Sequence, residues 1–343
     1  MNSQTEQSVL KLPRMIPVLT AGFNTVANRI SLILIPVALD LLLWFAPKLS
    51  VKNLIMPFIN EMLSTVSKLG NTDLSATLGT SQKLWTDLLG QYSLLNTLRT
   101  IPVGVPSLIA RTGYSVNPIG APMVFEIPNG TMAVLIFIGL TLIGFFAGAV
   151  YFSLLSRSTA PETEVAQPNQ LWMKFSQSVW MAIYLLVLGL FLIVPFTFVL
   201  SLFSILGSGV SQVLIMLAGL VLLWMLIPLA FSVHGIFVMQ QKAMPSMMLS
   251  TKMIRFFLPG TGSFVLICAL VSEGLNLLWT NTPPNSWLTL IGIVAHAFVV
   301  TSLLASTFIY YRQGLRWMQG NIQKMSELAS KRPDNGGFIG RNQ

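Results

Sequence analysis

Three titratable residues stand inside runs that are otherwise apolar: Asp40, Glu273 and His296. An ionisable side chain within a membrane-crossing helix costs at least about 2.5 kcal/mol, so it needs a partner, a water-filled cavity or a place near an interface. Carboxylates and an imidazole at a common depth can bind a cation or hand a proton from one to the next. Asp40 lies six residues before the end of its run and Glu273 six before Trp279, roughly 9 Å in at the helical rise. His296 lies nine residues in from Trp287, roughly 13 Å by the same rise. All three thus fall within about one turn of each other in depth. Glu273 is in line with Asn276 and Thr280, and His296 follows Thr289 and Gly292 on its own face, which turns both toward protein. The expectation is a shared polar cavity in the outer half of a helix bundle. The competing reading makes each residue an isolated interhelical hydrogen bond or a group reaching to the outer surface.

The elements that must position these residues are membrane helices. Only 9% of residues are charged, 53% are hydrophobic and the mean hydropathy is +0.71. A soluble domain carries roughly a quarter charged residues. One globular core cannot absorb so much apolar surface, whereas a lipid-facing exterior can. The formal charge of +9 comes from thinly spread Lys and Arg. That distribution excludes a nucleic-acid face and suits attraction to anionic headgroups. Cys268 is the single cysteine and there are two histidines, so neither a disulfide framework nor a His- or Cys-rich zinc site is expected. The sequence calls for no cofactor. It holds no phosphate-binding Gly-rich loop with its Lys, no G-x-S-x-G elbow and no HExxH, so enzyme chemistry is not expected.

Residues 1–26 are polar and then amphipathic, an interfacial segment ahead of the first crossing at 27–46, where Pro36 predicts a kink. Residues 47–129 lack a run of spanning length and form an outer insert. One amphipathic helix is predicted over 54–69, another over 81–99, and a turn-rich Pro/Gly connection over 101–128. The insert either lies on the membrane or caps the bundle. Residues 130–317 supply five further crossings, near 130–154, 180–206, 212–239, 258–279 and 287–311, and 318–343 is a polar basic tail. Gly144 and Gly148 form a small-xxx-small pair that lets another helix approach. Prolines 195 and 228 either break helices around a site or serve packing. Trp44, Trp279 and Trp287 read as interfacial belt residues. His234 is expected near headgroups at the inner end of its span. The predicted class is an all-α integral membrane protein of six transmembrane helices with interfacial amphipathic helices and a helical outer insert.

With the N-terminus in the cytoplasm, 14 of the 20 Lys and Arg fall on inner segments, and the other six lie in the long insert, where the charge rule loses force. Both termini are therefore expected to be cytoplasmic, in a multi-pass cell-membrane protein. Between 240 and 257 an amphipathic segment carries Lys242, Lys252 and Arg255, an inner-leaflet basic surface, with Leu249, Met253, Phe256 and Phe257 opposite.

That segment, AMPSMMLSTKMIRFFLPG, and the last span's ending, TFIYYRQGL, carry a resemblance. From the polar linker through Tyr311 the chain resembles bacterial polytopic membrane proteins similar to the membrane domain found beside glycerophosphodiester phosphodiesterases. The catalytic domain with its paired acids and histidines is absent from this sequence, so the resemblance implies a six-helix module that accompanies other proteins or lipids. Two functional expectations follow. One is a non-catalytic membrane component that organises a partner, another copy of itself or a lipid environment. The other is a small-solute or proton-coupled permease using Asp40, Glu273 and His296.

Overall fold

The computed structural model of the chain describes residues 13–69, 75–113, 116–162, 170–203, 208–283 and 285–330. The polar start of the chain, most of the 157–169 linker and the tail from 331 lie outside the described residues. The protein is an all-α membrane protein. Among the described residues, five helices are long and apolar enough to cross a bilayer, or six if one bent pair counts as a single span.

The bent pair opens the chain. Helix α1 (Met15–Asn28) meets a segment made of a 3₁₀ turn (Ile30–Ile33) and helix α2 (Leu34–Phe45) at 92°. The break falls at Arg29, ahead of the kink predicted at Pro36. Pro36 is the third residue of α2, where a backbone N–H has no intrahelical acceptor, so the proline begins the helix instead of bending it. Over its described part the expected interfacial segment carries a buried face of Val18, Gly22 and Val26. That face packs on the last helix. A Cβ on Gly22 would stand 2.6 Å from the Ser302 carbonyl oxygen and 2.7 Å from the Ser306 nitrogen, so only glycine permits this crossing.

The insert folds as strand β1 (Lys48–Ser50), helices α3 (Lys52–Leu69) and α4 (Ser75–Gln91), a 3₁₀ turn (Leu94–Leu98), the short helix α5 (Ile109–Thr112) and strand β2 (Val124–Glu126). The two strands pair in parallel, Lys48 with Val124 and Ser50 with Glu126. Sequence pattern did not predict this three-residue ladder, which is too short to show alternation. Helix α4 ends at Gln91, earlier than the expected 99, and the chain turns toward the bundle from there.

Five long elements complete the molecule. Helix α6 (Gly130–Ser158) is capped by the Asn129 side chain, which accepts from the Met132 N–H. Helix α7 (Leu171–Phe203) runs through Pro195 unbroken. The fourth span is divided at Pro228 into α8 (Ser208–Leu226), a 3₁₀ turn (Ile227–Leu229) and α9 (Ser232–Met239). Helix α10 (Ala243–Phe256) leads to α11 (Leu258–Thr280) and then α12 (Leu288–Ser330). The last span does not end at Tyr311. Arg312, Leu315 and Met318 are buried, and their packing carries one helix into the stretch expected to be tail.

The core sits on α12. Its buried face includes Thr289, His296, Thr301, Ser302, Ser306 and Arg312, and Tyr151 of α6 bonds to Thr301 at 2.9 Å. Polar and small side chains mark the packed face, because lipid covers large apolar ones as well as protein does.

Candidate functional site

Between the 3₁₀ turn at 94–98 and α5, the chain reads RTIPVGVPS. Pro102, Gly104 and Pro106 deny it a helix, yet it enters the bundle alongside α6. A Cβ on Gly144 would lie 2.5 Å from the Leu98 carbonyl oxygen, and one on Gly148 would lie 2.8 Å from that of Val103. Gly144 stands at the midpoint of a 29-residue helix. The small-residue pair therefore admits the irregular backbone of the insert, where the sequence led us to expect a second helix. Non-helical backbone at such depth is tolerated only when protein encloses it. That condition is met here: Val103, Val105, Leu108 and Ile109 are all buried.

Asp40 holds this segment in place. Its side chain is completely buried on α2, five residues before Phe45. One carboxylate oxygen accepts from the Ser107 hydroxyl and from the Ile109 N–H at 3.0 Å, and the other accepts from the Leu108 N–H at 3.0 Å. Ser107 in turn accepts from the Ala110 N–H at 3.0 Å, as a residue at a helix start does. Hydrogen bonds to a charged group are worth about 1.5–3 kcal/mol each, enough to offset burial of a carboxylate only because several converge. Around them Trp44, Leu108, Ile109 and Ile293 close an apolar shell. Trp44 is thus a packed residue, whereas Trp287, in edge contact with it at 6.2 Å, is exposed.

The far end of α5 meets the second expected residue. Arg111 forms a two-pronged pair with Glu273 of α11, one prong at 2.9 Å, and both side chains are substantially exposed. The hydrogen bond to Glu273 holds the Arg111 guanidinium above its ordinary pKa. One turn further along α11, Asn276 accepts from His296 Nδ1 at 2.9 Å. Arg99 lies within electrostatic reach of Asp40, Glu273 and Arg111.

The three predicted residues are therefore brought into one neighbourhood, but around a piece of protein. Asp40 secures the N-terminal end of α5, Glu273 pairs with its C-terminal end, and His296 bonds to Asn276, one turn from Glu273 on α11. Where a shared cavity was expected, the insert's own backbone and side chains occupy the space. Among the described residues, no group of three His, Cys, Asp or Glu is placed to hold a metal ion.

The opposite end of the bundle is built on α10. Ala243, Ser246, Ser250, Met253 and Ile254 face inward, while Lys252 and Arg255 are exposed and Lys242 precedes the first turn. Of the expected apolar partners, Met253 is buried and Phe256 is exposed. Ser246 and Ser250, one turn apart, close the break at Pro228: Ser250 donates to the Pro228 carbonyl and accepts from the Phe231 N–H, and Ser246 donates to the Ser232 carbonyl. Backbone groups freed by a proline are re-satisfied in this way inside membranes. His234, expected near headgroups, is buried instead, bonding Thr307 at 2.8 Å beneath Phe231, Phe308 and Tyr311.

Sequence reasoning missed Ser107, Arg111 and the Ser246/Ser250 pair. A serine opening S-L-I-A-R is a recognisable helix start, so Ser107 left a readable signal. Arg111 left none, since nothing local places it against a residue 162 positions away. No protein-family model, curated protein or solved structure matches the chain.

Proposed function

We propose that the protein is a non-catalytic membrane component that organises a lipid environment or a membrane partner, a second copy of itself included. The observation that carries this reading is the saturation of Asp40 by three donors from the inserted segment. A carboxylate committed to holding backbone is an anchor, and what it anchors is the inserted segment around Ser107, Leu108 and Ile109 at one end of the bundle. The opposite end offers Lys242, Lys252 and Arg255 to anionic headgroups, which agrees with a cytoplasmic placement of that end and of both termini. The resemblance carried by the 243–260 segment, a helix module that accompanies other proteins or lipids, points the same way.

A permease is the second reading. The placing of Arg99 within electrostatic reach of Asp40, Arg111, Glu273 and His296 favours it. Reconstitution in liposomes separates the two. The scaffold reading expects proton and small-cation flux equal to protein-free liposomes, with Asp40→Asn and Glu273→Gln changing stability alone. Flux that is lost in Glu273→Gln at unchanged protein level would establish the permease.

A further inference from the structure

At the end of the bundle opposite the insert, Lys174 occupies a costly position. It is the fourth residue of α7, at the first turn, where the positive end of the helix dipole disfavours a cation. It is also only 4% accessible. Buried charges are ordinarily paired. Among the described residues, however, the ion pair is that of Arg111 with Glu273 at the other end of the molecule, and no group accepts a hydrogen bond from Lys174 Nζ. The ammonium lies over the Phe237 ring, 5.9 Å from its centroid and near the limit of cation–π attraction. The charge acting on it is a like charge, Arg157.

The surroundings gather more positive charge. Ser156 donates to the Phe237 carbonyl at 3.1 Å, which brings the next residue, Arg157, to the same corner from the last turn of α6. Gln177, one turn from Lys174 on α7, accepts from the Ala243 N–H at 2.9 Å, so Lys242 arrives there from the start of α10. Arg157 and Lys242 are exposed. Among the described residues, Lys174 Nζ is not one of the unpaired polar atoms sealed from solvent, as Tyr311 Oη is, so its tip stays open to a ligand. Depth narrows the choice of ligand. The α6 span closes at Ser158 and the α7 span opens at Leu171, with Trp172 exposed beside it as tryptophans at headgroup level are. Chemistry narrows it further: a guanidinium fork and an ammonium from different helices suit a group that offers several anionic oxygens at once.

We propose that Lys174, Arg157 and Lys242 form a site for one phosphate group, which accepts from the Lys174 ammonium on its inner side and from the Arg157 fork at the rim. At this depth the source within reach is an anionic phospholipid. That source deepens the lipid-organising reading and rests on it, whereas the phosphate site itself stands without it.

The test uses native mass spectrometry of the full-length protein released from vesicles of equal parts phosphatidylglycerol and phosphatidylcholine. Phosphatidylglycerol is expected to be retained at least fivefold over phosphatidylcholine. Lys174→Met, which keeps an apolar stem in the packed position, and Arg157→Gln are each expected to cut that preference at least threefold, while Lys252→Gln on the exposed face of α10 leaves it unchanged. Arg157 is exposed, so its variant keeps the test decisive if Lys174→Met misfolds. A second arm follows thermal unfolding of the detergent-purified protein with inorganic phosphate, against chloride at equal ionic strength. Stabilisation by phosphate that is lost in Arg157→Gln, without any lipid preference, would support the site and overturn its lipid source. Equal retention of the two lipids with no effect of phosphate would overturn the site, as would a lipid preference that neither Lys174→Met nor Arg157→Gln reduces. Liposome flux reports on the scaffold reading separately, so that reading can fail while the phosphate site holds, or the reverse.

Discussion

Helix α12 and the hairpin made by α7 and α8 are similarly apolar, with mean hydropathies of 2.2 for α12 and 2.5 and 2.7 for the spans of the hairpin. Half of the α12 window is buried in protein, against 6% and 0% for the other two. What separates them is the distribution of small and polar groups. Helix α12 buries Thr301, Ser302, Ser306 and His296, while the hairpin presents Leu186, Phe191, Phe198, Leu220 and Trp224 outward. Glycines divide the same way: a Cβ on Gly22, Gly144 or Gly148 would meet backbone of another segment, whereas one on Gly189 or Gly219 meets nothing within 4 Å. Hydrophobicity places a segment in the membrane, and only its polar and small residues say which side of it meets protein.

Substitutions on the two sides should therefore behave oppositely. The largest effect is expected for Asp40→Ala, which strands two buried N–H groups and a hydroxyl. We expect a loss of about 4 kcal/mol, since each buried unsatisfied group costs about 1–3 kcal/mol. Unfolding of the purified protein from mild detergent into sodium dodecyl sulfate measures it, and a loss below 1 kcal/mol would remove Asp40 from its anchoring role. Gly148→Leu should cost about 3 kcal/mol, because the new atoms meet backbone at Val103 and Gly104, which yields less readily than a side chain. The same titration should show Gly219→Ala to be stabilising by about 0.5–1 kcal/mol, the gain of an exposed helical position relieved of glycine. Destabilisation there would mean that the hairpin is packed against something. Smallest is Glu273→Gln, expected to cost about 0.5 kcal/mol and to lose that effect in high salt, as an exposed ion pair does. A loss of 2 kcal/mol would place the Arg111 pair in a far drier setting than its exposure indicates.

Much of this was readable beforehand. Hydropathy runs mark the long helices, and the misplaced charges Asp40, Glu273 and His296 point to residues that the fold brings into one neighbourhood. The Pro and Gly density of 101–128 predicts a turn-rich connection, and within its described residues the stretch also carries the short helix α5 and the strand β2. Its depth was not readable. A segment such as IPVGVPS reads equally well as surface loop or enclosed loop, because the difference lies in Gly144 and Gly148, some forty residues on. Arg29 as the point of the 92° break was also hidden, since Pro36 is the louder signal and it happens to fall in a first turn.

The central claim is that residues 103–108 lie inside the bundle, held there by Asp40. It is tested most directly by thiol accessibility in membranes. With Cys268 replaced by Ser, cysteines are introduced singly at Val103 and Val105, which are buried, and at Ile119, which is exposed, and each is exposed to a membrane-impermeant maleimide. The account expects rapid labelling at 119 and almost none at 103 and 105, with both of the latter opened by Asp40→Ala. Labelling of 103 and 105 as fast as 119 in the otherwise intact protein would contradict it.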